Sequence, residues 1–418
     1  MISPSRRPSD RLARGLLGAA LLCIRPSAPA TAAAAHYELI LLGNLGGITS
    51  GAYGVNEHGQ VAGAAELASG YIHAFLWTDG VMRDLGTLGG SSSWANAVNS
   101  AGQVVGKAQT AGGEWRAFLW ENGAMTDLGT LGGPESEAFD VNDTGQVAGW
   151  ADVSTEDLHA FRWENGAMTD LGVLFDCCSQ AFAINDAGQV GGWAPTATGW
   201  FQGFVWDDGS MEELPTLGGL ESWANGMNDA GSLVGAADTA DGDTHAAMWT
   251  GEQWLDLGTL GGLMSEAYAV NELDQVVGWS AIDESNEVWR AFLWESGAMI
   301  DLNTLVEAPE AGELVLASDI NDGGQIVGTC EGGAFLLTPV PTIQSFALGA
   351  GGRLALAWSH MGDGWAYIVE SRSALAEGDW APVEPAGQWP ISGTGWETAA
   401  PAGARQLFFR VSALYQRP

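Results

Sequence analysis

Lysine is almost missing from this chain. Lys107 is the sole one, and Lys and Arg together number 15 against 51 Asp and Glu, a net charge of −36. So acidic a surface repels phosphate backbones and anionic lipid, which argues against nucleic acid or a membrane surface as partner. Cysteine is nearly as scarce. Of the four, Cys23 lies in the N-terminal segment, and Cys177, Cys178 and Cys330 cannot form a fully paired framework within one chain. Long apolar runs are missing too. The stretch 15–24 ends at Arg25 and is too short to span a bilayer, so no membrane insertion is expected. No G-x-S-x-G, H-E-x-x-H or P-loop pattern occurs in a supporting setting, so no motif names a reaction.

Glycine is abundant, at 60 residues, and so is tryptophan, at 20, a profile that suits short strands joined by tight turns. Both recur periodically. The asparagine of a V-N-D-like element falls at Asn56, Asn99, Asn142, Asn185, Asn228, Asn271 and Asn321, with five intervals of 43 residues and a last one of 50. The tryptophan of A-F-x-W keeps the same beat at Trp77, Trp120, Trp163, Trp206, Trp249 and Trp294. Periods of about 20 to 50 residues mark repeat architectures.

Within one copy, four period-2 runs are bounded by turn residues: 136–142, 146–150, 159–163 and 167–174. Asn122-Gly123 and Asn165-Gly166 are hairpin signals, because both turn positions tolerate positive φ. Four antiparallel strands per unit fit a β-propeller blade, and the spacing of Gly and Asn leaves no room for helices. The seventh copy has three strands, near 314–321, 325–329 and 334–337, and then Pro339 and Pro341 in place of a fourth. YELILLGNL at 37–45 matches the fourth strand but has no blade of its own. The spacing therefore predicts an all-β chain with a seven-bladed propeller over 36–340, in which the N-terminal strand closes the last blade and removes exposed edges.

Residues 1–35 differ in kind. Arg6, Arg7, Arg11 and Arg14 precede the apolar run, and small residues follow from 27 to 35, the layout of a secretory signal peptide cleaved near 32–35. An extracellular location is expected. Loss of this segment removes five arginines and one aspartate and moves the net charge from −36 to −40.

The repeats resemble the bacterial extracellular family named HAF after its recurring tripeptide. Here that tripeptide stands as His73-Ala74-Phe75 and His159-Ala160-Phe161, with Arg116-Ala117-Phe118 as a variant, beside L-G-T-L-G-G and N-D-x-G-Q-V-x-G elements. The resemblance covers roughly residues 40–340 and implies export without implying a reaction. Members often end in a PEP-CTERM sorting segment, from which the SALYQRP ending here departs. Residues 341–418 read as a separate small β-sandwich with strands at 354–358, 366–370 and 407–411. They resemble fibronectin type III-like or immunoglobulin-like modules, which implies a spacer or attachment role.

Residues that follow the period are read first as architecture. Phe75, Phe118, Phe161, Phe204 and Phe292 stand two positions before their tryptophans, share a face with them, and are expected to pack blade on blade. The asparagines are expected to cap the first hairpin turn. His73, His159 and His245 occupy one repeat position, too far apart around a ring to share a metal, and are expected to pair with neighbouring acidic groups. Asp238, Asp241 and Asp243 are spaced for Ca²⁺ but lack the bidentate glutamate of an EF-hand loop, so an acidic solvated loop fits as well. No other cofactor is expected. Cys177 and Cys178 fit either an adjacent-residue disulfide or free thiols.

Departures from the period carry the functional expectation. The two tight hairpins of each blade share one rim, and the variable second–third loops and inter-blade links share the other. That loop-rich rim is expected to hold Trp115, Trp200, Phe201 and Trp289, with Trp94 and Trp223, beside Asp152, Glu156, Asp157, Asp241 and Asp283. Aromatic rings beside carboxylates can stack on and hydrogen-bond a sugar; the alternative is that they fold onto the blade edges. The chain therefore reads as a secreted, non-enzymatic binding or scaffold protein that meets a glycan or a cell-surface protein at this rim. A propeller glycosidase or polysaccharide lyase, using convergent carboxylates or a Tyr/His pair, is the alternative.

Overall fold

The computed structural model describes residues 36–155, 157–306 and 311–340, and strands at 343–348, 353–358, 365–372, 381–382, 395–399 and 408–415. The expected leader and Glu156 lie outside the described residues. Seven four-stranded antiparallel sheets form a ring, a seven-bladed β-propeller. Six blades use consecutive strands. In the seventh, the strand His36–Leu41 pairs with Gly333–Val340, from His36 opposite Val340 to Leu41 opposite Phe335, so the N-terminal strand closes the ring as expected. Among the described residues helix is confined to 3-10 conformation, at Leu302–Thr304 and at Ala311.

The periodic residues hold the blades together. Phe75, Phe118, Phe161, Phe204, Phe292 and Phe335 are completely buried. Phe118 and Trp120 of blade 2 pack on Ala62, Ala74 and Leu76 of blade 1, the blade-on-blade contact the spacing implies. Each such ring contributes about 1.5–3 kcal/mol of burial. In six of the seven blades a serine stands six residues before the asparagine, and in four it pins the preceding blade by two bonds: Ser136 Oγ accepts from Ala117 N at 2.9 Å and donates to Gly129 O at 2.6 Å, and Ser93, Ser179 and Ser265 repeat both bonds.

The asparagines do more than cap. Asn142 Oδ1 accepts from Gln146 N, closing its turn, while Nδ2 donates to the Asn185 carbonyl of the next blade at 2.8 Å. The same inter-blade bond runs from Asn56 to Asn99 and onward until Asn321 donates to Asn56 at 3.0 Å, a closed circle of seven. The histidines meet their acidic partners: His73, His159 and His245 Nδ1 lie 2.8–2.9 Å from Asp84, Asp170 and Asp256 of the fourth strand.

The strict alternation read into the first strands fails at one position. In every blade the register slips by one residue just before the V-N element, as between Ala138 and Asp140, leaving Phe139 unpaired in a β-bulge. The bulged residues around the ring are Tyr53, Asn96, Phe139, Phe182, Asn225, Tyr268 and Ser318.

Beyond the ring, two three-stranded antiparallel sheets form. Ile343–Leu348, Arg353–Trp358 and Gly395–Ala399 make one, and Ala381–Pro382, Trp365–Arg372 and Phe408–Tyr415 the other.

Candidate functional site: an axial cavity

The seven bulged side chains all face one cavity of about 630 Å³ on the ring axis. A bulge turns the extra residue out of the alternation, and here it aims one side chain per blade at the axis. Trp193, Trp223 and Glu266 also line the wall. Where the outer frame repeats, this position carries two tyrosines, two phenylalanines, two asparagines and a serine. Burial raises the Tyr53 phenol, and burial followed by the Glu266 carboxylate raises that of Tyr268, so both act as neutral hydroxyls.

From the cavity, aromatic and polar contacts reach outward along three routes. Phe139 and Phe182 lie 4.6 Å apart between ring centroids, Phe182 and Trp193 6.5 Å, and Trp193 meets Phe201 edge-on at 4.8 Å. Asn96 donates to Glu137 at 3.2 Å, Glu137 pairs with Lys107 at 2.9 Å, and the Lys107 ammonium lies 5.9 and 5.6 Å from the rings of Trp94 and Trp115. On the third route Asn225, the Tyr268 hydroxyl and Trp279 Nε1 all donate to Glu266, and Trp279 lies 4.9 Å from Trp289.

Two carboxylates sit deeper in the wall. Asp140 accepts from Val141 N and, across the blade boundary, from Ile184 N, both at 2.8 Å. Asp319 does the same for Ile320 N at 2.8 Å and Val55 N at 2.7 Å. Burial pushes Asp140 up to about 6 and Asp319 up to about 7, against the lowering effect of those backbone donors. Equivalent positions elsewhere hold Gly or Ala, so these two replace a small residue by a strut between first strands.

The rim residues expected from the sequence fall on strands rather than in free loops. Trp115, Phe201 and Trp289 begin third strands, and Trp200 immediately precedes one. Trp200, Phe201 and Trp289 are 43%, 36% and 48% exposed, enough to offer ring faces to a ligand. Trp94 and Trp223 belong to first strands, and Trp223 lines the cavity itself. Phe201, the Trp94–Trp115 pair and Trp289 thus stand at the outer ends of the three routes. Asp238 is engaged, accepting from Glu221 N at 3.1 Å and Thr244 Oγ1 at 2.8 Å, while Asp241 is exposed and Asp243 half-buried. Among the described residues no three His, Cys, Asp or Glu side chains converge as a metal set. The Cys177 and Cys178 thiols touch at 2.7 Å in the link before blade 4, and burial pushes Cys178 up to about 12. Cys330 is buried in blade 7.

The bulged residues were missed in the sequence because a bulge has no composition of its own. Their signal was present: between the constant alanine and the constant asparagine of each copy, this position alone mixes aromatic, amide and hydroxyl side chains.

No family model matches the chain, and no curated protein matches it. Among solved structures it is similar to an acylaminoacyl peptidase from Pyrococcus horikoshii, with TM-score 0.43, 11% identity, and 74% of this chain and 58% of that one covered. It is also similar to the BP39L lectin from Burkholderia pseudomallei, at TM-score 0.38 and 11% identity, covering 85% and 99% of the two chains. TolB from Acinetobacter baumannii aligns at TM-score 0.35 and 12% identity over 51% of each chain, so this chain spans about half its length. These likenesses are too distant to assign a function.

Proposed function

We propose that this protein is an exported, non-enzymatic binding protein that holds a carbohydrate in the axial cavity and on the loop-rich rim beyond it. The observation that carries the reading is the wall of bulged residues, where a ring otherwise built by repetition places seven side chains of four kinds around one space. Flat aromatic faces such as Phe182 and Trp223 suit the apolar faces of a sugar, and neutral hydroxyls and carboxylates suit its hydroxyl groups. The exposed rings of Trp200, Phe201 and Trp289 extend the same chemistry outward. The leader-like N-terminus and the HAF-type repeats support export, where such ligands and cell-surface partners are met.

A glycan array probed with the mature chain, followed by a reducing-sugar assay on every retained oligosaccharide, tests the reading. Retention without release of reducing ends is expected. Release would replace it by the glycosidase alternative, and failure to retain any oligosaccharide would reject it.

A further inference from the structure

One constellation occurs twice in the ring, three repeats apart, and the protein completes only one copy with its own charge. Trp94, Asn96 and Glu137 of blades 2 and 3 recur as Trp223, Asn225 and Glu266 of blades 5 and 6. The geometry repeats as well. Asn96 Nδ2 donates to Glu137 Oε1 at 3.2 Å and to Ala138 O at 2.8 Å; Asn225 Nδ2 donates to Glu266 Oε1 at 2.9 Å and to Ala267 O at 3.0 Å.

The copies differ in what meets the second carboxylate oxygen. Glu137 Oε2 receives the ammonium of Lys107 at 2.9 Å, and that ammonium also lies over Trp94 and Trp115. In the second copy Ala236 stands in the position of Lys107, and Thr244 in that of Trp115. Glu266 Oε2 accepts only from neutral donors, Tyr268 Oη and Trp279 Nε1, both at 3.2 Å, and has no ion pair among the described residues. Trp223, Asn225, Glu266 and Tyr268 all face the axial cavity, whereas only Asn96 of the first copy does. A carboxylate in an aromatic wall is costly without a countercharge, and the first copy supplies one in the form of the chain's sole lysine.

We infer that the second copy takes its cation from the ligand. The cavity binds an ammonium group at Glu266, beside Trp223, at the place that Lys107 Nζ occupies in the first copy. Combined with the carbohydrate reading, on which this identification of the ligand rests, the ligand class is an amino sugar with a free amine. The net charge of −36 draws such a cation in.

The test titrates the mature protein at mildly acidic pH with three probes, following tryptophan fluorescence: a glucosamine tetrasaccharide, its N-acetylated counterpart and phenethylammonium. The free-amine tetrasaccharide is expected to bind about tenfold more tightly than the acetylated one, the range of a partly desolvated cation–π and ion-pair contact. Glu266→Gln should remove that preference. Ala236→Lys should block amine binding by rebuilding the internal ion pair, and near-isosteric Glu266→Gln decides the matter if Ala236→Lys does not fold. Equal binding of the two tetrasaccharides, or a preference that survives Glu266→Gln, overturns the ammonium site and leaves the carbohydrate reading standing. Binding of phenethylammonium that is lost in Glu266→Gln, with neither sugar bound, supports the site and overturns the carbohydrate reading. Binding of none of the three overturns both.

Discussion

The hairpin end of the ring axis and the cavity just inside it are built from adjacent residues of the same strands, by opposite rules. At the hairpin end each blade repeats its neighbour. The asparagine amides form their circle, and the next residue carries a similar bond across six of the seven boundaries: Asp143 N donates to Asp186 at 2.9 Å, Asp186 N to Asp229 at 2.7 Å, and Asp322 N to Glu57 at 2.9 Å. A few residues back along the same strands the bulge presents Tyr, Phe, Asn or Ser by turns. Repetition of a bond around a closed ring makes every blade boundary alike, which favours one register and one blade count. Repetition at the cavity would give a sevenfold surface with no preference for an asymmetric ligand. The difference teaches that in a ring of equal blades, specificity must come from the positions that leave the period.

That contrast can be broken at several points. The largest effect is expected from deleting residues 36–46. Blade 7 then loses its fourth strand and the buried Tyr37 and Leu42, and a long edge is exposed. The melting temperature should fall by about 10 °C or more, since each kcal/mol is worth about 2–4 °C in a domain of this size. An unchanged melting curve would contradict the closure. Next comes the repeating core. Phe118→Ala empties a fully buried site between blades 1 and 2 and should cost about 3–5 kcal/mol in denaturant unfolding, and a loss below about 1 kcal/mol would contradict the packing account.

The deep cavity carboxylates make a smaller, pH-dependent contribution. Unfolded aspartates ionise near 3.8, whereas folded Asp140 and Asp319 keep their protons up to about 6 and about 7. The folded state therefore holds more protons between those values. The stability these groups confer is complete below about pH 4 and is lost as pH rises through about 6 and about 7. The wild type should lose on the order of 2–3 kcal/mol more between pH 4 and pH 8 than the Asp140→Asn variant, which removes the smaller of the two shifts. Parallel stability profiles would show that this carboxyl does not titrate in this window. Least affected in stability should be the rim. Trp200→Ala and Trp289→Ala should each cost under about 1 kcal/mol, because half-exposed rings lose little burial. A loss near 3 kcal/mol would instead make them seals on the blade edge.

The frame was legible in the sequence and the site only at its outer end, for one physical reason. Blade number, strand order and closure follow from the positions of Asn56 to Asn321 and from YELILLGNL, because each blade must meet the next in the same way. The His–Asp pairs were legible for the same reason. The bulge was not, since E-A-F-D-V alternates acceptably whether or not Phe139 is paired, and only the register against Gly149 and Ala148 separates the two. Trp223 aligns with Glu137, inside the first-strand run, so its place on a strand was legible; that it lines the cavity was not. Lys107 stood out only as a rarity. Its role needed the structure, which joins it to Glu137, 30 residues away.

The most direct test of the central claim is the affinity of the tightest glycan-array ligand for the wild type and for Phe182→Ala, with melting temperatures taken alongside. Phe182 is a bulged residue that lines the cavity and links it through Trp193 to the rim. If the ligand sits on the axis, Phe182→Ala weakens binding by about 2 kcal/mol or more while the ring still melts cooperatively near the wild-type temperature. Undiminished affinity in that variant would place the ligand elsewhere and contradict the account.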